Sequence, residues 1–220
     1  MKKRLLKLKA GKPVRFNLQN SPIKYPGINN KYCYQSNIHN LIYKGAHFKN
    51  AKYMNCIMTS CNFRGAFMNG VDFFHTNLKN TRFDNAEIKN CVFFSCKIDN
   101  TDCTNSKFEN VLFISTNTNN AIGLANQDGW QIIKSYPKIE LGIKLSFITL
   151  ELAKYESLFR PRVLHVNANK PNLWIFTVLL DRYKKETVVK ALYALNRKKE
   201  KRNFYTLYSY IKYIDSFVKI

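Results

Sequence analysis

The chain has 220 residues, enough for one large domain or two small ones, and its 45% hydrophobic content is ordinary for a globular protein. Its charge is not ordinary, because 36 Lys and Arg face only 14 Asp and Glu, a formal net charge of +22. Such an excess favours an anionic partner, either nucleic acid, acidic lipid or an acidic protein. The sequence has no apolar run as long as the roughly 18 residues of a membrane span, and no secretory signal, so we expect a cytoplasmic protein with no transmembrane segment.

Residues 1–30 form a basic segment with eight Lys or Arg and no acidic residue. Alternating apolar residues over 13–20 predict a strand that caps the repeat that follows. The charges near the start are candidate contacts for an anion or a nucleic acid, although a solvated chain end explains them too. These candidates are Lys2, Lys3 and Arg4.

From residue 36 to 118 one pattern returns every five residues. Each repeat has a large apolar centre, a small residue two positions before it, and in most repeats Asn or Gly two positions after it. A period of five fits neither a helix nor a flat strand, so the chain must bend in every repeat, and Asn and Gly tolerate the left-handed backbone of such bends. The pattern therefore predicts a solenoid of stacked coils. Clear examples are residues 51–55 (AKYMN), 61–65 (CNFRG) and 81–85 (TRFDN).

These runs resemble the motif of the pentapeptide-repeat family, in which a small residue and a polar residue precede the apolar centre. The resemblance extends over 17 consecutive repeats, from centre 38 to centre 118. It implies a right-handed, four-sided β-helix of about four coils, which we place at residues 31–125. It covers less than half of the chain.

One face of the predicted β-helix is apolar on its outside. Superposing every fourth repeat leaves mainly polar residues pointing outward on three faces. A contiguous apolar stripe on the fourth face normally marks a contact, either with the C-terminal region packed over it or with a partner or second copy in a homodimer. We call Met54, Phe74, Val92, Phe94, Leu112 and Ile114 the apolar stripe.

Nothing in the sequence predicts catalysis. The six cysteines mostly follow the five-residue register and should be small, buried, reduced residues. Neither they nor the four histidines have the spacing of metal ligands, and no phosphate loop, nucleophile elbow or paired-carboxylate motif occurs. We therefore expect no catalytic, metal or cofactor site, and a protein that is not an enzyme.

Residues 126–220 change to a helical period and form the predicted third region. Apolar residues from 141 to 159 at spacings of three and four predict one helix, which Pro161 ends. Residues 160–172 read as a connection, and Asn172 is a candidate N-cap for the next element. Residues 173–180 are apolar all round, so they form either a core strand or a buried helix; we favour a helix that continues to Leu195.

A basic cluster precedes a final aromatic helix over 204–218. Basic residues beside tyrosines suit nucleic acid, since charge holds the phosphates and rings stack on bases. A solvated charge run beside a core-facing helix is the alternative, which the regular apolar seam of the helix favours. The cluster, which is a second candidate anion or nucleic-acid contact, comprises Arg197, Lys198, Lys199, Lys201 and Arg202.

The family resemblance narrows the function to three hypotheses. We favour a non-enzymatic scaffold that binds a macromolecular partner, expected to be a protein, through the solenoid surface and the C-terminal helices. A nucleic-acid-binding protein acting through the basic flanks is the first alternative. The second is protection of DNA gyrase or related topoisomerases, as performed by acidic, DNA-like members of the family. The net charge of +4 over 31–125 disfavours it, unless the repeat's acids form a local patch: Asp72, Asp84, Glu87, Asp99, Asp102 and Glu109.

Overall fold

The computed structural model of the chain describes residues 19–218. The predicted contacts Lys2, Lys3 and Arg4, and most of the predicted cap strand over 13–20, lie outside this range. Eight strands form one parallel sheet, a ninth and tenth form a hairpin, and five α-helices complete the described elements, together with a 3₁₀ turn at Leu124–Asn126. The strands are β1 (Asn29–Tyr34), β2 (His47–Met54), β3 (Phe67–Phe74), β4 (Glu87–Lys89), β5 (Val92–Phe94), β6 (Lys107–Glu109), β7 (Val111–Ile114), β8 (Trp130–Ile133), β9 (His165–Asn167) and β10 (Lys170–Pro171).

The parallel strands wind into the predicted β-solenoid. Strands β1, β2, β3, β5, β7 and β8 stack in that order on one side. On the adjacent side, β4 stacks on the first three residues of β3, and β6 stacks on β4. Isolated bridges such as Asn37 with Ile57 and Ile42 with Asn62 form the remaining sides, again between positions separated by four repeats. The resemblance to a four-sided β-helix is thereby confirmed.

The solenoid has about five turns, so the predicted count of four was low. The extra length lies at the two ends, where a turn is shorter than four full repeats. Lys24 pairs with Ile42, two positions short of that length, and Val111 pairs with Trp130, one position short of it. These shortened turns shift the five-residue period, so the residues that form them do not continue the pattern of residues 36–118. Strand β8 therefore adds a rung beyond the predicted boundary at residue 125.

The predicted bends lie at the corners. Asn50, Asn85 and Gly65 have φ values of 47°, 58° and 61°, which is the left-handed region. Ser60 and His75 adopt the same conformation in equivalent positions, with φ of 58° and 47°. The corner geometry is therefore imposed by the stacking of turns, and it persists where the sequence lacks a residue that prefers it.

Each turn places like residues on like residues inside the solenoid. Tyr43, Phe63 and Phe83 stack with ring centroids 4.9 and 5.0 Å apart, and a second ladder includes Phe73 and Phe93 at 5.0 Å. Offset aromatic stacks of this spacing contribute more than burial alone. The small inward residues donate hydrogen bonds to carbonyl oxygens of the preceding turn, as Thr81 does to Met58 at 2.8 Å, so the buried hydroxyls are satisfied.

The cysteines belong to this core. All six are free thiols, and five are buried. Burial raises the pKa of Cys91 and of Cys96 to about 12. Such thiols are protonated at neutral pH and have little nucleophilic character.

The C-terminal helices are shorter than predicted. They are α1 (Gly142–Leu152), α2 (Glu156–Phe159), α3 (Leu173–Arg182), α4 (Lys185–Arg197) and α5 (Leu207–Val218). The predicted helix over 141–159 breaks after α1, and the predicted connection over 160–172 contains the β9–β10 hairpin.

The predicted helix from Leu173 to Leu195 breaks at Tyr183, whose backbone is extended. The Tyr183 hydroxyl donates to Asp215 Oδ1 at 2.6 Å, so a contact with α5 holds the break. Asn172 occupies the N-cap position of α3, but its side chain makes no capping hydrogen bond.

Two of the three phenylalanines on β3, Phe67 and Phe73, test the core. Phe73 is fully buried in its ladder, whereas Phe67 is 42% exposed. We expect Phe73→Ala to lower the free energy of unfolding by about 3–5 kcal/mol, because it removes buried area and leaves a cavity. Phe67→Ala, the matched control, should change it by less than about 1 kcal/mol. Urea denaturation followed by circular dichroism measures both; equal losses would contradict the described core.

Candidate functional site

The C-terminal helices pack on the apolar stripe. Phe74, Val92, Phe94 and Ile114 belong to one buried cluster with residues of α1, α3, α4 and α5, and Met54 and Leu112 pack at its edge. Phe74 and Phe94 stack at 4.6 Å, and Phe94 meets the Trp174 ring edge-on at 6.1 Å. The chain's own helices thus bury the stripe, and residues of both the solenoid and the C-terminal helices form this second hydrophobic cluster.

A buried ion pair lies where α5 meets the solenoid. Lys52 Nζ lies 3.8 Å from Asp72 Oδ2, and neither side chain is exposed. The backbone N–H of Leu207, the first residue of α5, donates to the same Oδ2 at 2.9 Å. The Lys52 ammonium also lies 3.2 Å from the centroid of the Phe74 ring. Asp72 therefore holds the positive end of α5 against the solenoid.

Burial shifts the titration of both partners. It raises the pKa of the Asp72 carboxyl, while the Lys52 charge and the Leu207 hydrogen bond oppose that rise. It lowers the pKa of the Lys52 ammonium, which the Asp72 charge opposes. Desolvation is the larger effect for each partner, as expected for two charges removed from water.

The sequence prediction missed this pair. Lys52, Asp72, Val92 and Leu112 occupy one column of the register, in strands β2, β3, β5 and β7. The sequence analysis includes Asp72 only among the acids of a surface patch. The pair could have been predicted from the column itself, because a lysine and an aspartate four repeats apart are followed by two apolar residues at the same position.

Close polar contacts fix the segment before α5. Asn50 Nδ2 donates to the carbonyl oxygen of Asn203 at 2.8 Å, and Thr206 Oγ1 donates to Asn50 Oδ1 at 3.1 Å. At Gly70, a Cβ atom would lie 2.8 Å from the Tyr208 ring, and the φ of 67° is also unfavourable for other residues. Glycine at this corner therefore lets α5 approach the solenoid backbone.

The other acids of the repeat are largely paired with basic residues, in most cases one turn away. Lys79 contacts Asp99, and Lys89 contacts Glu109, each at 2.8 Å. Asp84 contacts both Arg64, at 3.2 Å, and Arg82, at 3.1 Å. With Asp72 buried beneath α5, four of the six acids considered for a negative patch are neutralised or covered.

The basic cluster lies in the segment that joins α4 to α5. Arg197, Lys198, Lys199 and Arg202 are exposed, and Lys201 is half-buried. Two of its ammonium groups lie over rings, Lys201 at 3.9 Å from Tyr155 and Lys198 at 5.5 Å from Tyr213.

Helix α1 has apolar residues on two opposite sides. Leu145, Ile148 and Leu152 are fully buried, whereas Ile143 is 89% exposed and Phe147 is 55% exposed. Ile143 and Phe147 stand at positions i and i+4, so they lie on one side of the helix. This outward side has no covering element among residues 19–218.

Within residues 19–218, no group of three or more His, Cys, Asp or Glu side chains is arranged to hold a metal ion. The helices in the same range are too short or too polar to cross a membrane.

The Lys52–Asp72 pair yields a stability prediction. Asp72→Ala should lower the free energy of unfolding by about 3–5 kcal/mol, because it leaves a buried ammonium unpaired. The double variant Lys52→Met with Asp72→Leu should recover most of that loss, since both charges are removed. If the double variant is as unstable as Asp72→Ala, desolvation does not dominate at this site.

The same variants predict a pH dependence. A raised Asp72 pKa means that the folded chain binds this proton more tightly, so stability falls as pH rises from about 4 through the raised value. A lowered Lys52 pKa makes stability rise between that value and about 10.4. Urea denaturation across this range should therefore show the double variant at its most favourable relative to the wild type near neutral pH. A difference in unfolding free energy between the double variant and the wild type that does not change with pH would contradict the shifts.

Comparison with known proteins gives one matching family model and several solved structures that are similar to this chain. The family model described as pentapeptide repeats matches residues 44–80 and 56–93, with eight copies. A solved pentapeptide repeat protein from the Arabidopsis thaliana thylakoid lumen is similar at 15% identity, with 50% of this chain and 70% of that one covered and a TM-score of 0.31. A pentapeptide repeat protein from the cyanobacterium Cyanothece is similar at 12% identity, with 61% of this chain and 96% of that one covered and a TM-score of 0.25.

A plasmid-mediated fluoroquinolone resistance protein, QnrB1, is similar at 11% identity, with 54% of this chain and 90% of that one covered and a TM-score of 0.24. The search of curated proteins gave no match. The family model covers only residues 44–93 of the chain. This match, together with the consecutive five-residue motifs and the stacked four-sided turns, supports the pentapeptide-repeat family for this chain.

Proposed function

We propose that the protein is a non-enzymatic scaffold that binds an acidic protein through the outward side of α1. The observation that carries this proposal is the exposure of Ile143 and Phe147 on a helix whose opposite side is fully buried. The solenoid and the other helices serve as a rigid support for α1. The sequence predicts binding through the solenoid surface and the C-terminal helices, and it leaves the apolar stripe open as either an interdomain or a partner face. The present proposal narrows the contact to α1, one of those helices.

The apolar stripe is a poor candidate for the partner surface. Its central residues, Phe74 and Phe94, are 2% and 9% exposed beneath the chain's own helices. A partner or a second copy could reach them only if α3 and α5 moved away. That movement would expose Lys52 and Asp72 as well, so we assign the contact to a surface that is already open.

The exposed side of α1 suits a partner with apolar anchors and negative charge. An apolar pair at i and i+4 matches a helix or strand that inserts one or two apolar side chains. Exposed Lys144 lies on the same helix, and Lys185 lies near its start, where Nζ donates to the Glu140 carbonyl oxygen at 3.1 Å. The net charge of +22 adds long-range attraction for an acidic surface.

A second candidate function is binding of single-stranded nucleic acid near the basic cluster. Tyr32 and Tyr205 line one groove with Lys31, Arg160 and Glu156, which pairs with Arg160 at 3.3 Å. Rings beside basic groups suit stacked bases and their phosphates. The predicted contacts Lys2, Lys3 and Arg4 would add to this surface, but they lie outside the described residues.

Topoisomerase protection has the weakest support. Electrostatic imitation of DNA requires a continuous negative surface, whereas the acids of this solenoid pair with Lys and Arg side chains. Gyrase among the captured proteins in the following experiment would revive this hypothesis.

Affinity capture with matched variants tests the proposal. Wild-type protein and the variant Ile143→Asp with Phe147→Asp are used on nuclease-treated lysate of the cells that make the protein. We expect an acidic protein to be retained by the wild type and reduced at least tenfold by the variant, because two apolar anchors become charged. Ile57→Asp, at an apolar site that is 46% exposed on the solenoid, is the control and should retain the partner.

Two outcomes would contradict the proposal. Equal capture by the wild type and the α1 variant would mean that the partner binds elsewhere. Material that is retained from untreated lysate, is lost after nuclease treatment or on raising the salt, and is also lost in the variant Lys198→Ala with Lys199→Ala would favour the nucleic-acid function instead.

A further inference from the structure

A half-open cavity of roughly 250 Å³ lies between the solenoid and the C-terminal region. Its walls are largely aromatic, with Phe94 from the solenoid, Trp174 from α3 and Tyr136 from the segment after β8. Phe74, Met54 and Val166 add apolar lining. The lining also contains five polar residues: His75, Arg162, His165, Lys170 and Asn172. The lining includes no Asp or Glu, so the cavity has basic groups without an acidic counterpart.

Two fully or almost fully buried polar side chains in the lining have unused acceptors. His165 Nε2 lies 2.7 Å from the Thr149 carbonyl oxygen, so Nε2 carries the proton and Nδ1 is left as an acceptor. Burial lowers the pKa of His165, which favours this neutral form. His165 Nδ1 and Asn172 Oδ1 are buried and have no hydrogen-bond partner within residues 19–218.

A basic group of the lining is unsatisfied as well. Arg162 Nη1 is buried and has no hydrogen-bond partner within the same described range. The guanidinium lies 3.7 Å from the centroid of the Phe159 ring, and the backbone of Arg162 has a φ of 53°. This left-handed conformation is costly for arginine, and strain of that kind clusters at binding sites. The segment before the hairpin thus holds a charged donor at the cavity in an unfavourable backbone state.

Structural roles do not account for these groups. Asn172 occupies the N-cap position of α3, where a side-chain oxygen usually accepts a backbone N–H, yet it makes no such bond. Unsatisfied buried polar atoms are uncommon in folded proteins, and each calls for an explanation. Here a donor and two acceptors belong to residues that line one aromatic-walled space.

We propose that this cavity binds a small aromatic carboxylate that carries a hydroxyl or amino group. The carboxylate pairs with Arg162 and Lys170, and the ring packs between Phe94 and Trp174. The hydroxyl or amino group donates to His165 Nδ1 or Asn172 Oδ1. A ligand with one aromatic ring is consistent with a volume slightly below that of typical drug-sized pockets.

Both the carboxylate and the hydroxyl or amino group of such a ligand are needed to satisfy the polar groups of the cavity. An anion alone would leave the two acceptors unsatisfied, and a neutral phenol would leave the guanidinium without a counter-charge. The proposal is independent of the function assigned to α1, since the two sites share no residue.

Calorimetric titration of the full chain with 4-hydroxybenzoate tests the proposal. We expect saturable binding, and binding at least about tenfold weaker for benzoate, which lacks the donor, and for 4-hydroxybenzyl alcohol, which lacks the charge. The chain has two tryptophans. In a ¹⁵N-labelled sample the indole N–H signal of Trp174 should shift on binding, while that of Trp130, outside the lining, should not.

Two variants and a control identify the contacts. Arg162→Gly should weaken binding by about tenfold or more while keeping the fold, because glycine favours the left-handed backbone at this position. Lys170→Gln, at an exposed side chain, should weaken binding as well. Lys138→Gln, at a lysine outside the lining, should leave the affinity unchanged.

The proposal is overturned if no saturable binding occurs at millimolar 4-hydroxybenzoate, which would mean that hydration alone satisfies the cavity. It is also overturned if Arg162→Gly binds as tightly as the wild type, or if the Trp174 signal does not move.

Discussion

The fold depends on one constraint, the parallel stacking of each solenoid turn on the turn that lies four repeats earlier in the chain. Parallel pairing at this offset places every side chain beside its counterpart one turn away. Rings therefore stack on rings in the core, and lysines meet acids on the surface, as Lys79 does Asp99. A substitution at one position consequently changes the environment of two neighbouring turns. The outward column that contains Phe74 and Phe94 extends by the same rule, which creates an apolar face that the C-terminal helices bury.

The junction between solenoid and helices combines strong packing with costly polar groups. Phe74, Phe94 and Trp174 supply apolar contact, while Lys52 and Asp72 are charges removed from water in the same interface. Buried ion pairs seldom add net stability, but breaking one is expensive. The pair therefore disfavours alternative placements of α5, because only the observed one offers Asp72 the backbone N–H of Leu207. The aromatic-walled cavity lies along the same junction, where Phe74 and Phe94 belong to its lining.

The repetitive part of the fold was predictable because its signal is local and repeated. The five-residue period located the core residues and the corner Asn and Gly residues, whose φ values are positive. The first and last turns were not predicted, because their strands pair at offsets shorter than four full repeats and this shifts the five-residue period. The breaks in the helical region were not predicted, because the sequence there has the period of continuous helices. Tertiary contacts, such as that of Tyr183 with Asp215, impose the breaks.

The sites were less predictable than the fold. The apolar stripe could be located from the register, yet whether helices or a partner covered it depended on packing between distant segments. The exposed side of α1 was hidden because Ile143 and Phe147 read as ordinary apolar helix residues. The cavity gathers His75, Arg162, His165 and Asn172 from a solenoid corner, a loop, β9 and a helix start. Such a group has no spacing in the sequence that would reveal it.

Hydrogen exchange measured by mass spectrometry tests the central claim that the helices are held on the apolar stripe. We expect α3 and α5 to be strongly protected in the wild type and to exchange much faster in the variant Phe74→Asp with Phe94→Asp, while the turns around Phe63 keep their protection. Unchanged protection of α3 and α5 in that variant would contradict the account, because it would mean that the helices are stabilised without the stripe.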